Sequence, residues 1–255
     1  RLAAHGVSGL KLLQLNAWGG RLEYAIDDLL HVEKPDILCL QEAISFEAEG
    51  SGLFITLENV QKEHNLPYRA FGPVFSFSYM KGVAKFGNAV LSRRPINKSK
   101  VVFTHLEHQD DYMWGEHSNN MRNFVHAVID VDGRPCHIIT HHGFWVPDHK
   151  QGNSETLKQM KHLADYIKTL EGPIILTGDF NLSPDSESLR ELNGMLTNLS
   201  IEHRLKTTRT NLTYKTETCD YIFVSKAVKI KSFEALDKVV SDHKALKLEF
   251  ELRKA

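Results

Sequence analysis

The sequence predicts an α/β domain. Short apolar runs suited to buried strands alternate with segments whose apolar residues recur at helical spacing. Several of the apolar runs end in a carboxylate, an amide or an imidazole. The two kinds of segment also follow one another without a linker, since Pro, Gly and Ser never gather into a low-complexity tract. With 255 residues, 42% of them hydrophobic and evenly spread, the chain can bury one large core, and residues 1–255 are expected to form a single domain.

Leu10 to Leu15 reads as the first strand and runs into Asn16-Ala17-Trp18-Gly19-Gly20. Leu22, Ile26, Leu29 and Leu30 mark an amphipathic helix that stops before Pro35, and Asp36 to Gln41 is a second strand reaching Glu42. A carboxylate there needs solvent or a partner, so Glu42 is either a metal ligand or a turn and helix-start residue. Leu53 to Asn65 reads as a helix. From Tyr68 to Ile96 the pattern suggests antiparallel strands with turns at Gly72-Pro73, Lys81-Gly82 and Arg94-Pro95, and Asn88 beside Gly87 also fits a bulge. Thr104 to Met121 is a polar insert with three histidines and a tryptophan, better read as a surface loop than as a metal site. A hairpin about Asp132-Gly133 follows, and its pairing brings Arg122 toward His141 and His142, so that a guanidinium and an imidazole face one anion.

Ser154 to Leu170 is a helix that leads into Gly172 to Pro184, GPIILTGDFNLSP. Ile174 to Leu176 is a short buried strand, and Gly178 lets the backbone turn as it leaves the sheet. Asp179 and Asn181, two residues apart, then offer a carboxylate and an amide on one side, unless they only cap turns. Ser183 as N-cap and Pro184 at the first helical position predict a helix over Asp185 to Leu196. Strands are expected from Thr218 to Val224, carrying Asp220, from Ile230 to Leu236, and from Leu246 to Leu252 behind Ser241-Asp242-His243.

A formal net charge of −1 gives no global pull toward polyanions, although Lys81, Lys85, Arg93, Arg94, Lys98 and Lys100 are candidates for a local basic flank. Cys39, Cys136 and Cys219 have neither redox nor zinc spacing and read as buried thiols. No apolar run is long enough for a transmembrane helix, and no G-x-x-x-x-G-K-[ST] run supports an ATP-dependent transferase. The expectation is a cytoplasmic monomer, while a chain beginning at Arg1 leaves room for a removed targeting segment.

Taken in order, LNAW at Asn16, LQE at Glu42, GNAVLS at Asn88, MRNF at Arg122, THHG at His142, GDFN at Asp179 and Asn181, CDYIF at Asp220 and SDH at Asp242 and His243 resemble the endonuclease/exonuclease/phosphatase superfamily of metal-dependent phosphoesterases. The resemblance implies a four-layered α/β/β/α sandwich, two mixed β-sheets packed face to face with helices outside. It implies a principal Mg2+ (or Mn2+) site at Asn16 and Glu42, with Asp242 as a further ligand or as the acid that orients His243. Asp179 would position and activate water and Asn181 would hold it. His142 and His243 would bind phosphoryl oxygens, with Asp220 paired to His142, and Arg122 would add a bidentate donor. Asn88 is a candidate substrate contact within that pattern, and Trp145, in a Phe144-Trp145 run that is not a general family feature, is either a substrate wall or ordinary cover for the sheet end. Where the family has N-T-H-L, this chain has Thr140-His141-His142-Gly143, and strand alternation lets only one histidine face the site, taken as His142. The implied substrate is a phosphodiester, nucleic acid included. The alternatives are a sugar, inositol or lipid phosphomonoester, or a binding module without catalysis. Loops 45–52, 104–121 and 144–153 are expected to set substrate choice.

Overall fold

The computed structural model describes residues 9–46, 53–113 and 120–254. Among the described residues, twelve strands run β1 Leu10–Asn16, β2 Ile37–Ser45, β3 Tyr68–Tyr79, β4 Gly82–Ser92, β5 Ile96–His105, β6 Arg122–Val131, β7 Arg134–His142, β8 Ile174–Asp179, β9 Thr197–Asn198, β10 Asp220–Val224, β11 Val228–Ala235 and β12 Leu246–Leu252. The helices are α1 Glu23–Glu33, α2 Leu57–Glu63, α3 Ser154–Lys168, α4 Arg190–Met195 and α5 Leu199–Glu202.

The strands form two six-stranded sheets, ordered β11-β12-β1-β2-β4-β3 and β5-β6-β7-β8-β10-β9. Both are mixed, because β1 with β2 and β7 with β8 pair in parallel among antiparallel neighbours. Period-2 alternation gives each central strand two buried faces. Leu12, Cys39, Val90, Ile138, Ile175, Ile222 and Leu248 meet between the sheets. Leu13, Leu38 and Leu40 turn outward onto Ile26, Leu29 and Leu30 of α1 and Leu57 and Val60 of α2. On the second sheet Ile139 and Leu176 turn outward onto Met160, Leu163 and Ile167 of α3. The result is the four-layered α/β/β/α sandwich.

Local chemistry sets the helix ends. Asn153 caps α3 in a reciprocal box with Thr156, and α1 closes on Lys34 in the left-handed conformation just before Pro35. At Gly72-Pro73 the expected turn is absent: β3 runs straight through and absorbs Val74 as a bulge, so the chain first reverses after Tyr79. The helix expected over Leu53 to Asn65 begins only at Leu57, where Thr56 and Asn59 form a capping box. Ser186, not Ser183, caps the turn that leads into α4, because Ser183 is occupied with the backbone oxygen of Lys150. Arg93 and Arg94 bond Pro35 O and approach Asp132 near the Asp132-Gly133 hairpin, whereas Lys81 lies at the β3–β4 turn, so the basic residues form no single flank. Trp114 and His117 of the polar insert, and residues 47–52 of the first substrate loop, lie outside the described residues.

Candidate active site

The carboxyl ends of β1, β2, β7 and β8 lie on one side of the sandwich, and β10 enters there antiparallel, with Asp220 opposite Asp179. Asn16, Glu42, His142, Asp179 and Asp220 are therefore brought to one cleft by strand register. Asn16 Nδ2 donates to Glu42 Oε1 at 3.0 Å and to Asp179 Oδ2 at 3.1 Å. His142 Nε2 lies 3.8 Å from Glu42 Oε1 and 3.7 Å from Asp179 Oδ2, and His243 Nε2 is 3.6 Å from the same Asp179 oxygen.

Three backbone features aim these groups. Glu42 has φ 53° at a bulge where the β2–β4 register slips between Leu40 and Ala43. Strict alternation would send Glu42 to the helix side opposite Gln41, and the bulge turns both toward the cleft. Asn181, also in the left-handed region at φ 54°, donates its N–H to Asp179 Oδ1 at 2.9 Å. Gly178 has φ 150°, and a Cβ there would lie 1.9 Å from the carbonyl oxygen of His141. Only glycine lets β8 come this close to β7 and set Asp179 beside His142.

The two adjacent histidines part as alternation requires. His142 enters the cleft, while His141 lies fully buried against Phe180 on the helix side. Burial, with Arg122 nearby, holds His142 well below the ordinary imidazole range. Asp179 pulls the other way without overcoming them, so His142 is a neutral donor or acceptor. The expected pairing of Asp220 with His142 is not formed. Asp220 instead accepts from His243 Nδ1 at 2.8 Å and from Thr208 Oγ1 at 2.6 Å, because β10 lies beside the turn carrying His243. Burial opposes charge on His243, but Asp220 and Asp179 outweigh it and raise its pKa. Asp242 is not the acid that orients His243: its Oδ2 is 3.9 Å from His243 Nε2 and 3.6 Å from Arg209.

The other expected residues are placed less uniformly. Arg122 Nε and Nη1 donate to the carbonyls of Gly143 and Met121, so those two donors are committed to backbone. Asn88 is 1% exposed and donates to Asn123 Oδ1 at 2.8 Å between the sheets. Trp145 is half-buried on the loop after β7, with the Lys215 ammonium over its ring. Asn181 Oδ1 accepts from Lys150 Nζ at 2.6 Å.

Lys150 and Arg209 were not singled out by sequence, although both are buried in the cleft, at 5% and 6% exposure. They stand in irregular loops, HKQGN and TTRTNL, whose only signal is a cation among small polar residues. Burial raises Asp179, yet His243, His142, Arg209 and Lys150 together hold it far below the usual carboxylate range. Asp179 is therefore a permanent anion. Burial foremost, with Asp179 and Asp242 adding repulsion, pushes Glu42 upward.

A hard divalent cation fits this donor set. Glu42 supplies a carboxylate short of positive partners, and Asn16 beside it supplies an amide whose Oδ1 accepts from Trp18 N–H at 3.0 Å. No thiolate is needed, and burial keeps the Cys39 thiol up at about 12. Beside Glu42 opens a cleft of about 380 Å³ lined by Trp18, Arg21, Phe54, Phe77, Tyr79 and Phe86. No helix among the described residues is long and apolar enough to cross a membrane.

A family model described as the Endonuclease/Exonuclease/phosphatase family matches residues 13–243. A comparison with curated protein sequences found no match. Among solved structures, an endonuclease/exonuclease/phosphatase from Beutenbergia cavernae superposes with a TM-score of 0.71 at 16% identity, covering 97% of this chain and 72% of the other. The mannosyl-6-phosphatase Bt3783 of Bacteroides thetaiotaomicron gives 0.68 at 18% identity, covering 94% and 99%. The human Nocturnin catalytic domain with bound sulfate gives 0.67 at 19%, covering 96% and 95%. Their likeness is one of fold, and together with the family model spanning most of the sequence it establishes that this chain belongs to the endonuclease/exonuclease/phosphatase family, whose members hydrolyse phosphate esters.

Proposed function

We propose that this chain hydrolyses a phosphate ester by attack of water in line with the leaving oxygen, with Mg2+ or Mn2+ held by Asn16 and Glu42. The observation that carries the reading is convergence. Asn16, Glu42, His142, Asp179 and His243, drawn from sequence positions more than two hundred residues apart, approach within 3.0–3.8 Å around one cleft. The cation, when bound, supplies Lewis-acid charge toward a phosphoryl oxygen.

Asp179 orients the water. Its Oδ1 is fixed by the Asn181 N–H and its Oδ2 faces the cleft. A carboxylate with so low a pKa accepts a hydrogen bond firmly but stores a proton poorly, so its work is alignment more than base strength. His243 is steadied by Asp220 through Nδ1, and its Nε2 lies 3.6 Å from Asp179 Oδ2 and against Arg209 Nη1, at the edge of the cleft where a phosphoryl oxygen would sit. Neutral His142 donates to a phosphoryl oxygen without placing charge in a buried site.

A phosphodiester is the leading substrate. A phosphomonoester is favoured by a different observation, the buried Lys150 and the half-buried Arg122, two cations that both lie close enough to Asp179 to feel its charge and that suit a dianion. The deciding experiment compares bis-nitrophenyl phosphate, nitrophenyl phosphate and plasmid DNA with Mg2+, with Mn2+ and with EDTA. Cation-dependent release from either small ester supports hydrolysis and tells the two ester classes apart. No release from any of the three, with the protein folded, would leave the non-catalytic binding module as the better reading.

A further inference from the structure

The cleft has two ends where acidic groups gather. At one, Glu42 and Asn16 stand with few positive partners. At the other, the ligand atoms of Asp179, Cys219, Asp220 and His243 lie within 4.8 Å of one another, with Asp242 alongside. By donor chemistry alone this second cluster also suits a cation. It already has one. The Arg209 guanidinium, 6% exposed, places Nη1 against His243 Nε2 and 3.6 Å from Asp242 Oδ2.

The placement is built by backbone. Arg209 pairs with His243 as an isolated antiparallel bridge, and both its neighbours are tied down. Thr208 Oγ1 donates to Asp220, and Thr210 bonds the carbonyls of Ser241 and Asp242 through its hydroxyl and its N–H. A guanidinium cannot shed its proton to escape burial, so it stays only where carboxylates compensate it. Asp242, 3.6 Å away, and the neighbouring Asp179 and Asp220 of the same cluster provide that compensation. Those are the same carboxylates a second divalent ion would require, and the two cations would repel at contact distance. Arg209 Nε is buried with no partner among the described residues, which leaves it a spare donor.

We propose that Arg209 stands in for a second divalent ion, so that the site holds a single divalent cation, at Asn16 and Glu42, while the guanidinium supplies fixed positive charge at the Asp242 and His243 end. The inference rests on the proposed cation at Asn16 and Glu42 and adds the number of ions and the reason for it. Positive charge at that end then survives chelators.

The test is Mn2+ binding to the whole chain, by calorimetry and by loss of the free-ion resonance signal. Wild type is expected to bind one Mn2+ per chain. Arg209→Gln is expected to bind two, the second at least tenfold tighter than any additional binding by wild type, and Arg209→Lys to stay at one. Glu42→Gln is expected to weaken the single ion at least tenfold. Two ions in wild type, or one in a folded Arg209→Gln, would overturn the inference while leaving the hydrolase reading standing. No Mn2+ bound to wild type would remove both. If Arg209→Gln does not fold, the stoichiometry of wild type and of Arg209→Lys still decides.

Discussion

The two halves of the layer between the sheets share strands but not chemistry. Along β1 the inward residues are Leu10, Leu12, Gln14 and Asn16; along β7 they are Cys136, Ile138, Thr140 and His142; along β8 they are Ile175, Thr177 and Asp179. Each stripe begins apolar and ends polar. The apolar half is the source of stability, since each fully buried aliphatic side chain contributes about 1.5–3 kcal/mol. The polar half consumes some of it, because buried charges must be compensated one by one. Between them lies a graded boundary. Gln14 Nε2 donates to Gln41 Oε1 and Gln41 Nε2 to Thr140 Oγ1, each at 2.7 Å, and Gln14 Nε2 approaches Asp220 at 3.4 Å. These uncharged amides join the sheets where the core ends and the ions begin, and they hold the charged side chains in register with the rigid half.

The sharpest separation of the halves comes from Asp179→Asn. With the proposed function, kcat should fall about 10³-fold or more, since the amide cannot orient water as the carboxylate does, while the melting temperature stays within a few degrees. Steady-state kinetics beside thermal denaturation reads both. A variant that unfolds, with kcat per folded molecule preserved, would make the polar half structural. The reciprocal change is Ile138→Ala, two residues from Thr140 on the same inward stripe and 0% exposed. It should cost about 3 kcal/mol of stability by denaturant titration and leave kcat within about twofold. Asp220→Asn sits at the join. It removes the acceptor for His243 Nδ1, so a loss in kcat of about 10²-fold is expected, with the pH profile of kcat displaced because His243 loses the partner that raises its pKa.

The apolar half was legible because aliphatic residues at period 2 have one stable destination. So were the strand-end residues Asn16, Glu42, His142, Asp179 and Asp220, since a polar group ending an apolar run is conspicuous. What sequence could not supply was the partner of each. Asp220 belongs to His243 because β10 runs antiparallel beside β8 and the 241–243 turn folds over it, a fact of sheet order that no local pattern carries. The bulge at Glu42 is a slip of β2 against β4, visible only once the two strands are paired. Arg209 and Lys150 were missed because loops have no period, and a cation in a loop ordinarily faces water. Asn88, matched through GNAVLS as a substrate contact, lies between the sheets and donates to Asn123 of β6, a pairing across sheets that no local pattern carries.

The smallest expected effect tests the contrast at its finest grain, between neighbours on one strand. His141 is held down to about 3 by burial foremost, then by Arg122, so the folded chain keeps it neutral where an unfolded chain would protonate it. The unfolded state therefore binds more protons below the ordinary histidine pKa, and this contribution, complete above that value, is lost as pH falls toward the folded one. For one such group the loss between pH 6.5 and pH 5.5 is about 1 kcal/mol. His141→Asn should flatten the dependence of folding stability on pH by that amount in denaturant titrations at the two pH values. His142→Asn, made to a residue also buried and also held well below the ordinary imidazole range, should flatten the profile in the same direction and in addition lower kcat. Equal flattening of the stability profile with no change in kcat for His142→Asn would mean that strand alternation divides the two side chains by position without dividing them by role.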